Sequence, residues 1–349
     1  MKKTLWMLGV AVAALTSCTE SEVLDVPESR VIGFESHVDN QTRVVSDLGS
    51  GTMVKFWVFG FKMETGDSEF GEHGTEAEVF CNVPVKRDQA VSTSPWGYEN
   101  VEDTKYWSKN HTYRFAAYAN GTESLTAPTV VSYDPDEDII TFTNYVAGDK
   151  DLVASISGDR EIGASIDGDD IAAVPFTFKH MLSKVQFSFT STANVTIEIT
   201  NLRIDAINKG TGTYEYNTTN PTEPIINWTP STDGNDKGYT STLELIPTTT
   251  VPAIENFCVI PQMNKTDETT HLSVTFTLTT YDGDGHFINS DNKTVSLASN
   301  VHDGEWKPGY VYNYHAVFGD DFDEAPITFT VYQYPSWTAG SEGGTTINP

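Results

Sequence analysis

The amino-acid sequence predicts an all-β protein: two tandem β-sandwich domains of antiparallel strands with Greek-key connections. Three observations carry that reading. Apolar residues recur at every second position along most of the chain. Turn-forming pairs punctuate these runs, among them Asn120-Gly121, Asp134-Pro135, Lys209-Gly210, Asp282-Gly283 and Asp303-Gly304. Outside the N-terminal leader, no Ala-rich run is long enough for a convincing helix.

The first element is not part of that fold. Lys2 and Lys3 open a leader whose Leu5 to Leu15 stretch is almost wholly apolar. This is too short for a transmembrane helix, which needs roughly 20 residues, and has the layout of a secretory signal peptide. It ends Leu15-Thr16-Ser17-Cys18, an aliphatic residue and two small ones before a cysteine. That ending resembles a bacterial lipobox, which implies cleavage after residue 17 and acylation of Cys18 with palmitate-type chains. Each buried methylene contributes about 0.8 kcal/mol, so several chains hold a soluble domain to a membrane. Residues 18–30, with Glu20, Glu22 and Asp25, read as a lipid-proximal tether, and the acids resemble a surface-export tag.

The strands follow in order. In Val31 to Val38, Ile32, Phe34, Ser36 and Val38 share one face. Alternation continues in Val54–Gly60, Val174–His180, Val185–Thr190, Val195–Thr200, Leu202–Ala206 and Leu272–Thr279. It closes in the C-terminal run with Ile327, Phe329 and Val331 on one face. One apolar face and one rich in Thr, Ser and charge describe half-buried strands. A Gly- and Asp-rich stretch, Ser157 to Ala173, suggests a division into domains 31–173 and 174–349. The tail from Thr338 to Pro349 is Gly/Ser/Thr-rich and reads as disordered.

Composition narrows the function. The chain carries 21 Lys and Arg against 49 Asp and Glu, a net charge of −28. Loss of the leader, with its two lysines and no acid, takes it to −30. Such a surface argues against nucleic-acid binding and against docking on anionic lipid. Cys81 and Cys258 lie far apart in sequence and read as two separate buried thiols. The eight histidines make no paired metal spacing, and no nucleophile elbow, P-loop or C-x-x-C is present. No catalytic residue, metal ligand or cofactor is therefore assigned, and the chain is not read as an enzyme. Asp282-Gly-Asp284-Gly-His286 starts like a Ca²⁺ loop but lacks its later Gly and bidentate Glu, so it reads as a polar hairpin tip. Trp96, Tyr98, Tyr106, Trp107 and Tyr113 could stack on sugars if exposed, but fit core positions better.

Together these landmarks resemble the Bacteroidetes fimbrillins, the subunits of type V pili, over nearly the whole mature chain. The carriers are Val31–Val38 with Thr42-Arg43, Phe56–Phe61, Lys105-Tyr-Trp107 with Tyr113–Tyr118, and Asp151–Ala154. Phe176–Val185, Trp306-Lys-Pro-Gly309 and Tyr312-x-Tyr314 complete the series. The resemblance implies transthyretin-like sandwiches on the outer-membrane surface, assembled into a fimbrium that supports cell adhesion. It implies that an Arg-specific protease cuts after Arg43 and removes the first strand, with Ile32, Phe34 and Val38. Other fimbrillin subunits are the implied partners, donating a C-terminal strand such as the one holding Ile327, Phe329 and Val331. Arg30 is a rival cleavage site, but a cut there leaves the strand in place. With both a removable strand and a donor, the chain fits a stalk subunit. The alternative is a non-polymerising surface lipoprotein or tip adhesin that binds a glycan or host protein.

Overall fold

The computed structural model describes residues 30–38, 53–67, 69–70, 78–88, 94–164, 171–233, 235, 237–262, 272–297, 304–321, 326–334, 337 and 345–347. Cys18 and Arg43 lie outside them. The strands are β1 (Phe34–Val38), β2 (Lys55–Glu64), β3 (Glu78–Lys86), β4 (Gly97–Tyr98), β5 (His111–Asn120), β6 (Val130–Asp134) and β7 (Ile139–Val146). Next come β8 (Leu152–Ile156), β9 (Arg160–Ile162), β10 (Val174–His180), β11 (Ser183–Ser191), β12 (Thr196–Ile207), β13 (Lys209–Glu215) and β14 (Ile225–Pro230). The last are β15 (Lys237–Thr240), β16 (Ala253–Val259), β17 (Ser273–Tyr281), β18 (Phe287–Ser296), β19 (Val311–Phe318), β20 (Thr330–Tyr334) and β21 (Thr345–Ile347). A short 3-10 turn, Val101–Asp103, interrupts the all-β pattern. Among the described residues no helix is long and apolar enough to cross a membrane.

Four sheets result. The largest has the order β1-β10-β8-β5-β2-β3-β4, with β9 also paired to β5. It packs on the sheet β14-β13-β7-β6, where the rings of Tyr118 and Phe142 meet at 5.7 Å. The second sandwich joins β16-β11-β19-β20-β21 to β15-β12-β17-β18, with Phe189 against Phe276 at 5.8 Å. Most ladders are antiparallel, but β1 runs parallel to β10 and β11 parallel to β19. Hydrogen bonding crosses residue 173: β10 belongs to the sheet built mainly from earlier residues, and β13 pairs with β7.

The central strands depart from the half-buried expectation. In β2, Phe56 and Val58 enter one core while Trp57 and Phe59 enter a second. In β5, Phe115 and Ala117 face the first core, and Ala116 and Tyr118 the second. The large sheet is thus buried on both faces at its centre, which explains its near-continuous apolar runs. Gly60 sits at the tightest point. A Cβ there would lie 2.6 Å from Phe80 Cδ2 and 2.8 Å from Phe115 Cδ1, so only glycine fits without displacing both rings.

The β6–β7 hairpin shows the same economy in its turn. Asp138 adopts a φ of 58°, in the left-handed region that Asn and Asp tolerate best. Its buried Oδ1 accepts the Tyr133 hydroxyl at 2.6 Å. Burial raises the Asp138 carboxyl above its ordinary range, against the lowering effects of the Tyr133 hydrogen bond and of Arg114. The folded protein therefore holds this proton where the unfolded chain has released it. Stability falls as pH rises from the ordinary carboxylate value through the folded one. Asp138→Asn keeps an acceptor for Tyr133, suits the turn and removes the buried charge. We expect denaturant midpoints of this variant at or above wild type at pH 7, with an advantage that shrinks as pH falls to 4. A loss above about 1 kcal/mol at pH 7 would show that the charge itself holds the turn.

Candidate functional site

The site with a structure unlike ordinary core packing is the first strand and its bed. β1 ends the large sheet and forms its ladder with β10, from Phe34 opposite Val174 to Val38 opposite Phe178. Period two sends Ile32 and Phe34 inward and Glu35 and His37 to solvent, as the sequence predicts. The Ser36 Oγ is shut from solvent, and the side chain of Val38 lies outside what the structure describes.

Phe34 is the plug of this strand. Its ring lies 5.7–6.4 Å from the rings of Phe56, Phe80, Tyr98, Phe115 and Phe176, mostly edge to face. Phe80 and Tyr98 come from β3 and β4, at the far end of the sheet from β1. The sheet therefore curls until its two ends share one aromatic core. The residues before β1 fasten the seam. Ile32 N–H donates to the Lys105 carbonyl at 2.9 Å and Trp107 N–H to the Arg30 carbonyl at 2.9 Å. The Tyr98 hydroxyl donates to the Ile32 carbonyl at 2.6 Å. On the other flank, the Arg160 guanidinium lies over Trp107 at 5.2 Å and donates to the Ala172 and Ala173 carbonyls, setting the entry to β10.

The C-terminal run lies elsewhere. β20 pairs antiparallel with β19, and Val331 is opposite Tyr314. Phe329 and Val331 are buried in the second core, with Ile327 packed at its rim. Phe329 lies 5.6 Å from Phe187, 6.1 Å from Phe189 and 6.0 Å from Tyr314. So the two sets of residues singled out in the sequence occupy separate cores. The expected disordered tail is corrected in part: Thr345–Ile347 form β21, an edge strand on β20.

Just beyond β20, Trp337 is fully buried and stacks face to face on His180, the last residue of β10, at 4.1 Å and 12°. His180 Nδ1 meets Asp151 Oδ2 at 2.9 Å, and Lys184 Nζ lies 5.6 Å from the Trp337 ring. The C-terminal segment is thus clamped to the strand that carries β1. Nothing in the local pattern around Trp337 signals this contact, because its partner lies about 160 residues away in the chain. Sequence reading also leaves Phe80, Tyr98 and Phe176 unassigned as the bed of Phe34.

The remaining candidates resolve simply. Trp107 and Tyr113 are core residues, Trp96 and Tyr98 half-buried, and Tyr106 is 41% exposed. Cys81 is exposed, which corrects its expected burial, while Cys258 is buried, and no disulfide joins them. Asp282, Asp284 and His286 do converge at the β17–β18 turn. Asp282 Oδ1 already accepts the backbone N–H groups of Asp284 and His286 at 2.9 and 2.8 Å, as a turn residue does. These donors, His286 first, hold its carboxyl below the ordinary range.

Other landmark residues of the sequence find one another in space. Trp306 Nε1 donates to the Tyr314 hydroxyl at 3.0 Å, and Lys307 N–H to the Tyr312 hydroxyl at 2.9 Å. Gly309 N–H donates to the Leu182 carbonyl at 2.9 Å.

Comparison with known proteins agrees with this architecture. No curated protein matches the chain. A fimbrial protein from Bacteroides vulgatus shares the fold with a TM-score of 0.54 and 17% identity, over 88% of this chain and all of that one. A candidate cell adhesion protein from Bacteroides uniformis aligns at 16% identity and a TM-score of 0.44, over 90% of this chain and all of that one. The fimbrial anchor protein Mfa2 from Porphyromonas gingivalis aligns at 11% identity and 0.30, over 87% of this chain and 97% of its own. The first supports the fold, and the lower scores carry no argument. The fimbrillin-like family model matches residues 42–342. With that match spanning most of its length, and two β-sandwiches beneath it, the chain belongs to the fimbrillin-like family.

Proposed function

We propose that the chain is a structural subunit of a surface fimbrium, exported as a lipoprotein acylated at Cys18 and assembled by strand exchange. In this reading an Arg-specific protease cuts after Arg43, and the first strand leaves. The C-terminal strand of a neighbouring subunit then takes its place, and the resulting polymer supports cell adhesion at the outer membrane. Of domains 31–173 and 174–349, the first would bear most of the groove, with β10 of the second forming its paired edge, and the second would bear the donor.

The observation that carries this is the position of β1. Among the described residues it is a terminal strand with a single ladder partner, yet it supplies the ring at the centre of an aromatic core. Removing it would leave the β10 edge unpaired and open an apolar groove lined by Phe56, Phe80, Tyr98, Phe115 and Phe176. Both features invite an incoming strand. In the run bearing Ile327, Phe329 and Val331, regular strand begins at Thr330, and the run packs in a core separate from the groove. Donation from one subunit to the next is head to tail and does not close on itself, so it builds a filament. Arg30 precedes β1, so a cut after it would leave Phe34–Val38 on the chain and paired with β10.

The test is limited digestion of the mature protein with an Arg-specific protease, read by mass spectrometry and by electrophoresis without boiling. A cut after Arg43 with a ladder of oligomers is expected, and Arg43→Ala should abolish both. A product that stays monomeric after that cut would overturn the proposal and favour a non-polymerising surface lipoprotein.

A further inference from the structure

The first strand and the C-terminal run carry the same inward pattern. Ile32-Gly33-Phe34-Glu35-Ser36 sets isoleucine two residues before phenylalanine, with a third inward position two residues later. Ile327-Thr328-Phe329-Thr330-Val331 repeats it. In both, the isoleucine precedes the regular strand and the phenylalanine lies among aromatic rings: five around Phe34 and three around Phe329.

Where the two runs differ, the first strand is the poorer one. Ser36 Oγ is buried with no hydrogen-bond partner among the described residues, which leaves a polar group desolvated without compensation. Val331 is fully buried in its own core and has no polar side-chain atom to satisfy. Gly33 contributes no side chain and has low strand propensity. The space beside it is open: a Cβ there would meet only Ala173 Cβ, at 3.7 Å, an ordinary contact. Thr328, β-branched and favoured in strands, fits where Gly33 stands.

We propose, resting on the strand-exchange reading above, that the groove takes the C-terminal run of a second copy of this chain in one register. Ile327 takes the place of Ile32, Thr328 of Gly33, Phe329 of Phe34, Thr330 of Glu35 and Val331 of Ser36. The donor runs parallel to β10, with Phe329 opposite Val174 and Val331 opposite Phe176, as Phe34 and Ser36 are in β1. A slip of one residue would turn Thr328 and Thr330 into the aromatic bed and Phe329 to solvent. A slip of two would set Phe329 where Ile32 or Ser36 stands. The donor leaves one aromatic cradle for another, so its large side chains stay buried. The direction of exchange is then set at the two positions where it improves on the native strand.

Cysteine pairs in a Cys81→Ser background of the full chain read the register. Tyr332 would stand where His37 does, opposite Thr177. Neighbouring strands lie about 4.8 Å apart, within disulfide reach. After cleavage and oxidation, Thr177→Cys with Tyr332→Cys should give a covalent ladder, and Thr177→Cys with Thr330→Cys should not. Ser36→Val, which repairs the first strand, should slow ladder formation about tenfold or more, as relief of a buried unpartnered hydroxyl implies. Ladders that form but cross-link through residue 330, or that ignore Ser36→Val, overturn the register and leave strand exchange standing. If the cut wild-type protein forms no ladder, strand exchange itself fails and the register with it.

Discussion

Phe34→Ala should destabilise the protein by about 3–5 kcal/mol, the usual cost of deleting a fully packed phenylalanine. The ring is 5% exposed and touches five aromatic partners drawn from β2, β3, β4, β5 and β10. No single neighbour can collapse into the vacated space without leaving the others, because the partners come from both ends of a curled sheet. The cavity should therefore persist and the cost sit toward the high end of the range. Urea denaturation of the uncut protein measures it. The same variant should release β1 more readily, so its first strand should become protease-sensitive at lower denaturant than wild type. A loss below about 1 kcal/mol would mean that the bed closes without the plug. The groove argued for above would then not survive loss of the strand.

Trp337→Ala should cost about 3 kcal/mol or more, again through a large buried cavity. The indole is fully buried against His180 and sits under the Lys184 ammonium, so its loss uncovers a junction that also holds the buried Asp151 carboxylate. Polar groups packed under an aromatic lid become hydrated when the lid goes, which loosens the segment that follows β20. Trp337→Phe separates packing from polarity. It keeps a ring on His180 and removes an indole N–H that has no acceptor among the described residues. It should cost well under half as much as the alanine variant. Thermal denaturation of the pair, with proteolysis of the C-terminal segment, checks both expectations. Equal losses in the two variants would show that the indole N–H has a partner and that stacking alone does not explain the clamp.

Both residues illustrate how unevenly the sequence discloses the structure. Phe34 is legible because inward and outward positions alternate within a few residues, and Val31 to Val38 shows that alternation by itself. The same local rule places the strands at Val174–His180, Ser183–Ser191 and Ser273–Tyr281. It also reveals the pattern shared by Ile32 with Phe34 and Ile327 with Phe329. Several landmarks noticed only as short motifs prove to be contacts: Lys105 and Trp107 hold residues 30–32, and Trp306 holds Tyr314.

What the residues determine alone is therefore the all-β class and, for the strands that alternate clearly, their positions and inward faces, because these follow from the two-residue repeat of an extended chain. Tertiary structure decided the rest. It set β1 parallel to β10, buried both faces of β2 and β5, and curled the large sheet until Phe80 and Tyr98 met Phe34. It also seated Trp337 on His180. A strand's repeat records which side is apolar but not which other strand will cover it. That choice is made by shape and ring packing between segments far apart in the chain, and it leaves no period to read.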